Sequence, residues 1–146
     1  MRRYSIKETA QLSGLAESTL RYYETMGLIG PIGRDASSGH RSYSEDDVNL
    51  IMGIACLSAT GMSIADMRKY LGNAKSGNGS AAAQKTLLEN QRKLLAAEAK
   101  AIVLRQKYVE TKIDYWSAVE NGDEAKKNAA AEKAWQIGKK LKNSKK

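Results

Sequence analysis

A strict seven-residue spacing of apolar side chains constrains the fold of this 146-residue chain more than any other feature. Seven residues make about two turns of an α-helix, so side chains at this spacing form one stripe along it. The stripe consists of Leu88, Leu95, Ile102, Val109 and Trp116. A second row, one position earlier, consists of Leu87, Leu94, Ala101, Tyr108 and Tyr115. We therefore predict one long helix over residues 85–120.

The stripe needs a partner, because a helix of this length cannot bury it against the preceding part of the chain alone. A second copy of the chain would cover it, which makes the five residues of the stripe the predicted dimerisation residues. The alternative is an intramolecular helical hairpin. Polar residues interrupt the seam and make it narrow: Gln91, Glu98, Arg105 and Lys112.

The N-terminal residues have the outline of a helix-turn-helix. Ser5 and Glu8 form a capping-box pattern, in which each side chain satisfies a backbone N–H at a helix start. This pattern predicts a first helix over residues 6–12. A second helix is predicted over residues 15–26, ending at Gly27, a residue suited to the left-handed conformation.

Turn-forming residues are concentrated between residues 28 and 43. They are Gly30, Pro31, Gly33, Ser37, Ser38 and Gly39. We predict a small two-stranded hairpin, the wing, in this segment. Two further capping pairs, Ser44 with Asp47 and Ser63 with Asp66, then open helices that run to about residues 58 and 71.

These elements divide the chain into four parts. They are a winged helix-turn-helix head at 1–75, a linker at 76–84, the dimerisation helix at 85–120 and a basic tail at 121–146. Three glycines make 72–80 a loop or hinge, and the tail is either a loose helix around Trp135 or disordered. The expected fold is mainly α.

The formal charge of +8 and the pI near 9.6 suit a phosphate-rich partner, since neutralising phosphates releases condensed counterions. Most of the surplus lies in the tail, where residues 121–146 hold eight Lys against three acidic residues. The first 45 residues hold six basic residues against five acidic ones. Charge alone therefore supports DNA binding only weakly.

Several other classes of protein do not fit this sequence. The single cysteine, Cys56, excludes an intramolecular disulfide, and with the single histidine it leaves too few soft ligands for an intrachain zinc site. No apolar run is long enough to span a bilayer, and no signal-peptide pattern is present, so we expect a cytoplasmic protein. No catalytic constellation appears, so we expect neither an enzyme nor a cofactor.

The run from Thr19 to Glu24 is the most informative in the chain. On a helix, Thr19 and Tyr23 share one face with Tyr22 beside them, and hydroxyls and Arg21 there could reach phosphates and base edges in a major groove. The alternative is that one of the two tyrosines fills the core of the head.

These motifs, in this order, resemble the MerR family of transcriptional regulators. The resemblance covers roughly residues 4–71, and the helix at 85–120 is similar to the antiparallel dimerisation helix of that family. One departure is Ala16, which stands where a capping Ser or Thr is common. The motifs are Tyr4 to Ile6, Thr19 to Glu24, the exit Gly27, Leu28, Ile29 and Pro31, and the wing string Gly39 to Tyr43.

The resemblance implies that a homodimer binds a palindromic operator in double-stranded promoter DNA. In the activated state it would distort the DNA so that the RNA polymerase holoenzyme engages both promoter elements. On this basis Arg41 reaches DNA from the wing, and Tyr43 either packs or contacts the DNA backbone. The implied recognition-helix residues are Thr19, Arg21, Tyr22 and Tyr23.

Cys56 and the string around it resemble a single-cysteine subgroup that responds to aldehydes, quinones or nitrosative stress. The resemblance implies a small reactive aldehyde or quinone as effector, because a lone thiol is alkylated without a second ligand. The alternative is a structural Cys56, since free cysteines are among the most buried residues.

Two rival functions remain open. An effector-independent architectural or excisionase-like protein would use the same head with little sequence specificity. A protein-interaction module built on the long helix would not need Thr19, Arg21 and both tyrosines exposed.

Overall fold

The computed structural model describes residues 2–75 and 80–143, which divide into one compact unit up to Gln91 and a second from Arg92. The fold is mainly helical, as predicted. The helices are α1 (Ile6–Ser13), α2 (Glu17–Thr25), α3 (Glu45–Ala59), α4 (Ile64–Ala74), α5 (Ser80–Glu120) and α6 (Glu124–Asn143). Among the described residues, no helix combines the length and apolarity needed to cross a membrane.

The helix starts follow the capping patterns in the sequence. Ser5 Oγ accepts a hydrogen bond from the backbone N–H of Glu8, and the Glu8 carboxylate accepts one from the N–H of Ser5. Ser44 and Asp47 make the same reciprocal pair at the start of α3. By contrast, Ala16 precedes α2 without any side-chain cap, which removes about 1 kcal/mol of helix-start stabilisation relative to Ser or Thr.

The core of the head is formed by α2, the segment after it, α3 and α4, with α1 packed against them. It contains Leu20, Tyr23, Leu28, Ile29, Ile32, Tyr43, Val48, Ile51, Ile54, Met62 and Met67, all buried. Tyr43 is the largest fully buried side chain. Its hydroxyl has no hydrogen-bond partner among the described residues, which is uncommon for a buried polar atom.

The wing is a hairpin turn with one antiparallel residue pair, Arg34 with Arg41, rather than the predicted two strands. The turn is closed by its own polar groups instead of by a ladder. Asp35 Oδ1 accepts hydrogen bonds from the Oγ and N–H of Ser37 and from the N–H of Ser38. These bonds lower the pKa of Asp35 to about 2, because they favour its charged form.

The chain before α1 is held against the end of the wing. Tyr4 pairs with Tyr43 through two backbone hydrogen bonds of 2.8 Å. The guanidinium of Arg3 donates to the backbone oxygen and the side chain of Ser42. A Cβ on Gly33 would lie 3.2 Å from the Arg3 guanidinium. Because Gly33 has no side chain, the guanidinium has room to bind Ser42.

Both boundaries of the loop or hinge predicted at 72–80 are wrong. Gly72 lies within α4, and α5 begins at Ser80 rather than at residue 85. The predicted linker at 76–84 is therefore helical from Ser80, and its residues 76–79 lie outside the described residues. Helix-favouring Ala81, Ala82 and Ala83 extend α5 toward the glycines.

The first turns of α5 are fastened to the head by glutamine side chains. Gln91, which the sequence suggests as a polar interruption of the dimer seam, is buried and donates to the backbone oxygen of Thr60 at 2.7 Å. Gln84 donates to the backbone oxygen of Tyr70 and accepts from the amide of Asn73. These bonds satisfy carbonyls at the ends of α3 and α4.

The second unit is a helical hairpin made by α5 and α6. Of the tail predicted as a loose helix or disordered, residues 124–143 form α6, which runs back along α5 after a turn at Gly122 with φ +66°. Residues 144–146 of the tail lie outside the described residues. The small side chains of α6 face α5, and the buried residues are Thr111, Ala118, Ala130, Ala134 and Ile137.

The hairpin partly covers the end of the second heptad row of α5 and leaves the first row exposed, while Leu94, earlier in the second row, is 56% exposed. Tyr108 and Tyr115 of the second row line the cleft between α5 and α6. Ile102, Val109 and Trp116 of the first row stay more than half exposed in the chain. The intramolecular hairpin left open by the sequence therefore exists, but it does not cover the predicted dimerisation residues.

Candidate nucleic-acid interface

Helix α2 presents a polar face to solvent because its apolar residues are spaced to bury the opposite face. Leu20 is fully buried and Tyr23 is 5% exposed, three positions apart, as on one side of a helix. Arg21 is exposed, Tyr22 is 48% exposed, and Thr19 is half-buried. The exposed side of α2 therefore carries a cation and a phenol, groups that bind phosphates and base edges.

Tyr23 and Tyr43 are not on that surface, although both are predicted DNA-binding residues. Tyr23 points into the core, where its hydroxyl lies 3.3 Å from Ser58 Oγ of α3. Tyr43 is fully buried beneath the wing, and burial raises the pKa of its hydroxyl. In the single chain both side chains are therefore packing residues of the core, beneath the exposed side of α2 and the wing.

Arg41, predicted to reach DNA from the wing, is paired with an acidic residue of α2. Its Nε lies 2.7 Å from Glu24 Oε1, and both side chains are about one-fifth exposed. The other oxygen, Glu24 Oε2, accepts a hydrogen bond from the backbone N–H of Ile32 at 3.0 Å. Glu24 thus joins α2 to the segment after it and to the wing.

The electrostatics of Glu24 favour its charged form. Desolvation raises its pKa, but the hydrogen bonds from Arg41 and from the Ile32 N–H outweigh that effect, so the pKa lies below its usual value. Glu24 belongs to the run from Thr19 to Glu24, but the motifs of that run predict no role for it. The one feature of the sequence that could have pointed to Glu24 is that it is an acidic residue inside a segment otherwise suited to bind an anion.

Several other arginines lie on the wing and the chain before α1. Arg34 donates to the backbone oxygen of Gly39 across the wing turn, and Arg3 reaches Ser42. Arg2 makes an exposed pair with Glu8 at 3.2 Å. The sequence motifs single out none of these three, and the partner of Arg3 lies 39 residues away, beside the Tyr4–Tyr43 pairing.

Cys56 lies on the exposed side of α3, opposite the buried Val48, Ile51 and Ile54. The structural interpretation of Cys56 as a core residue does not fit this position in the single chain. Met52, one turn earlier, is also 42% exposed. The thiol is therefore open to a reagent or to a second chain.

All five predicted dimerisation residues are exposed in the single chain. Their exposed fractions are 43% for Leu88, 40% for Leu95, 51% for Ile102, 57% for Val109 and 59% for Trp116. A contiguous apolar row of this length in water is typical of a protein-binding face.

Comparison with protein families matches residues 4–74 to the MerR HTH family regulatory proteins. The HTH-type transcriptional regulator AdhR of Bacillus subtilis is 37% identical over 91 residues, which are 62% of this chain and 64% of AdhR. The matched part thus spans less than two thirds of that relative.

Two solved structures extend the similarity beyond the head. One is described as a MerR family transcriptional regulator from Listeria monocytogenes; it is 30% identical, with a TM-score of 0.67 over 89% of this chain and 98% of that one. The other, HiNmlR, is a MerR family regulator lacking the sensor domain and bound to promoter DNA. It is 25% identical, with a TM-score of 0.69 over 88% of this chain and 96% of that one. These relatives are regulators rather than enzymes.

We predict that Glu24→Gln lowers the free energy of unfolding by about 1 to 2 kcal/mol, since it leaves the half-buried Arg41 without its counter-charge. Urea denaturation followed by far-ultraviolet circular dichroism measures this change. Arg2→Gln, which breaks the exposed pair with Glu8, is the matched control and is expected to leave the free energy of unfolding essentially unchanged. Equal effects of the two substitutions would contradict a structural role for Glu24.

Proposed function

Since this chain belongs to the MerR family of helix-turn-helix regulatory proteins, we propose that it is a transcriptional regulator that binds a palindromic promoter operator as a homodimer. The observation that carries the proposal is the exposed polar side of α2, held in place by Glu24 beside the wing. The DNA-bound state of HiNmlR, a structural relative over 88% of this chain, supports it.

In the proposed complex α2 enters the major groove of double-stranded DNA. Arg21 and Tyr22 contact phosphates and base edges, and Thr19 contacts DNA from the border of the buried face. Arg41 keeps its Glu24 partner with Nε and offers the remaining guanidinium N–H groups to a phosphate. Tyr23 and Tyr43 support these residues from the core.

The proposed homodimer uses the exposed heptad row of α5. Two copies packed antiparallel would bury Leu88, Leu95, Ile102, Val109 and Trp116 and place one head at each end. An operator with two-fold symmetry follows from such a protein, and the length of the helix pair sets the spacing of its half-sites.

We further propose that the activated dimer distorts promoter DNA so that the RNA polymerase holoenzyme engages both promoter elements. Bending or untwisting a site of this size costs several kcal/mol, which contacts of both heads with DNA must offset. The rival, an architectural protein without an effector, would show little preference for an operator over random DNA.

Arg21→Ala is expected to weaken binding to the operator by about tenfold or more and to reduce the preference over random duplex, because base-edge contacts are lost. Electrophoretic mobility shifts at one fixed salt concentration, on DNA from upstream of the coding sequence, measure both affinities. Lys140→Ala on α6 removes the same charge and is the control, expected to leave the preference unchanged. An equal loss for operator and random DNA would favour the architectural protein instead.

Ile102→Glu is expected to convert the dimer into a monomer, since it buries a charge in the centre of the proposed seam. Sedimentation equilibrium measures the mass. Val103→Glu introduces the same side chain at the neighbouring exposed position, outside the heptad row, and is expected to leave the dimer intact. Dissociation by both substitutions, or by neither, would contradict the assigned seam.

We also propose that Cys56 senses reactive electrophiles, which its exposure supports. Its sulfur would add to a ring carbon of a quinone, forming one C–S bond while the thiol proton is transferred to the quinone oxygen. No third reactant is needed, and the bulky adduct would alter whatever α3 packs against in the assembly.

Treatment with a quinone is expected to change transcription from the promoter for the wild type and not for Cys56→Ser. In vitro transcription measures the response, and mass spectrometry of the same samples reports the adduct. Both proteins should bind the operator before treatment. A response that persists in Cys56→Ser would remove the sensing role without affecting the proposal of DNA binding.

A further inference from the structure

The hairpin of α5 and α6 contains a cleft of about 520 Å³ that the proposed function does not use. Pockets for small molecules are usually 300 to 1,000 Å³, so its size suits one ligand of modest mass. The cleft lies wholly within the second unit and outside the exposed heptad row. Its lining residues are Tyr108, Lys112, Tyr115, Ala131, Ala134, Trp135, Gly138, Lys139 and Lys142.

The cleft is lined by three aromatic side chains and by a glycine. Tyr108 and Tyr115 come from α5, and Trp135 comes from α6, where 59% of its surface is exposed. Gly138 also lines the cleft, and a Cβ there would be 3.7 Å from Tyr108 Cε2. The missing side chain at Gly138 keeps space free beside the rings, in a helix where Gly is otherwise unfavourable by about 1 kcal/mol.

The charge of the cleft has one sign. Among the residues that the structure describes, its lining holds three lysines and no carboxylate. Lys139 Nζ lies 3.6 Å from the centroid of the Trp135 ring, and Lys112 Nζ lies 5.3 Å from that of Tyr115. Cation–π contacts of this kind hold an ammonium group against a ring face at the wall of the site.

The opposite side of the same hairpin shows that this combination is not a general property of α5 and α6. A second cleft there has a similar volume, about 560 Å³, and also contains two lysines, Lys126 and Lys133. Asp114 and Asp123 balance them, and no aromatic residue is present among its described lining residues. Only the first cleft joins aromatic walls to unbalanced positive charge.

We propose that the first cleft binds a small planar aromatic anion, of the class of aromatic carboxylates. The rings of Tyr108, Tyr115 and Trp135 stack on the planar part, and the lysine ammonium groups bind the carboxylate. An inorganic anion uses only the lysines and a neutral aromatic molecule uses only the rings, so both bind more weakly. The site is complete in one chain and independent of DNA binding.

Titration of the full-length protein with 2-naphthoate, followed by NMR of the indole N–H groups, tests this site. The chain has two tryptophans, and Trp116, which lies outside the cleft with its ring centroid 5.1 Å from that of Tyr115, is the reference for Trp135. We expect the Trp135 signal, identified by its loss in Trp135→Phe, to shift to saturation and by clearly more than that of Trp116. The neutral analogue 2-naphthamide should bind at least about tenfold more weakly.

Two sets of variants test the assigned residues. The double substitution of Lys139 and Lys142 by Gln is expected to weaken naphthoate binding roughly tenfold, as two partly exposed charge pairs are lost. The same double substitution of Lys126 and Lys133, in the opposite cleft, is the matched control and should leave the affinity unchanged. Gly138→Leu places a side chain in the cleft and should abolish binding while raising helix propensity.

Circular dichroism confirms that each variant remains folded before its affinity is compared. The proposal is overturned if the Trp116 signal shifts as far as that of Trp135, if the amide binds as well as the carboxylate, or if the two lysine pairs have equal effects. It is also overturned if folded Gly138→Leu binds naphthoate as the wild type does. None of these outcomes depends on an operator or on Cys56.

Discussion

The carboxylate of Glu24 accepts hydrogen bonds from two directions, and the surface of the head depends on them. One oxygen binds Arg41 of the wing, and the other binds the backbone N–H of Ile32 in the segment between α2 and the wing. Without this carboxylate, two polar groups close to the core would lose their partner at the same time. The position of the wing beside α2 is thus fixed by a charged pair as well as by packing. The wing itself has little structure of its own, since Asp35 closes its turn and only one residue pair spans it.

Much of the fold follows from local sequence signals. Capping pairs such as Ser5 with Glu8 and Ser44 with Asp47 set helix starts within a few residues, because the partners that they satisfy are themselves local. The boundary between α4 and α5 was predicted less well, since Gly72 is tolerated near a helix end. The roles of the aromatic residues were the hardest to predict. This chain has seven tyrosines and no phenylalanine, so residue type does not distinguish a core ring from a surface ring.

The two adjacent tyrosines of α2 illustrate this limit. Only their phase relative to Leu20 separates them: Tyr23 lies three residues after Leu20 and follows it into the core, whereas Tyr22 is turned toward solvent. Glu24 and Gln91 were missed for a related reason. Both look like ordinary solvent-facing polar residues, and the groups that they bind, Arg41 and the backbone of Thr60, are 17 and 31 residues away. Partners so distant in sequence are found only when the chain is folded.

Helix α5 carries different faces for different partners. At its start Gln84 and Gln91 hold the head, and farther along Tyr108 and Tyr115 face α6 while Val109 and Trp116 remain in water. The order of synthesis gives this division a consequence. Each compact unit is one continuous stretch of sequence, and the unit that contains the head comes first. A growing chain can therefore complete the head before the hairpin is made. Until Trp135 and Ile137 leave the ribosome, Tyr108 and Tyr115 are uncovered as well as Val109 and Trp116. The interval between the synthesis of α5 and that of α6 therefore sets how long the nascent chain exposes Tyr108 and Tyr115.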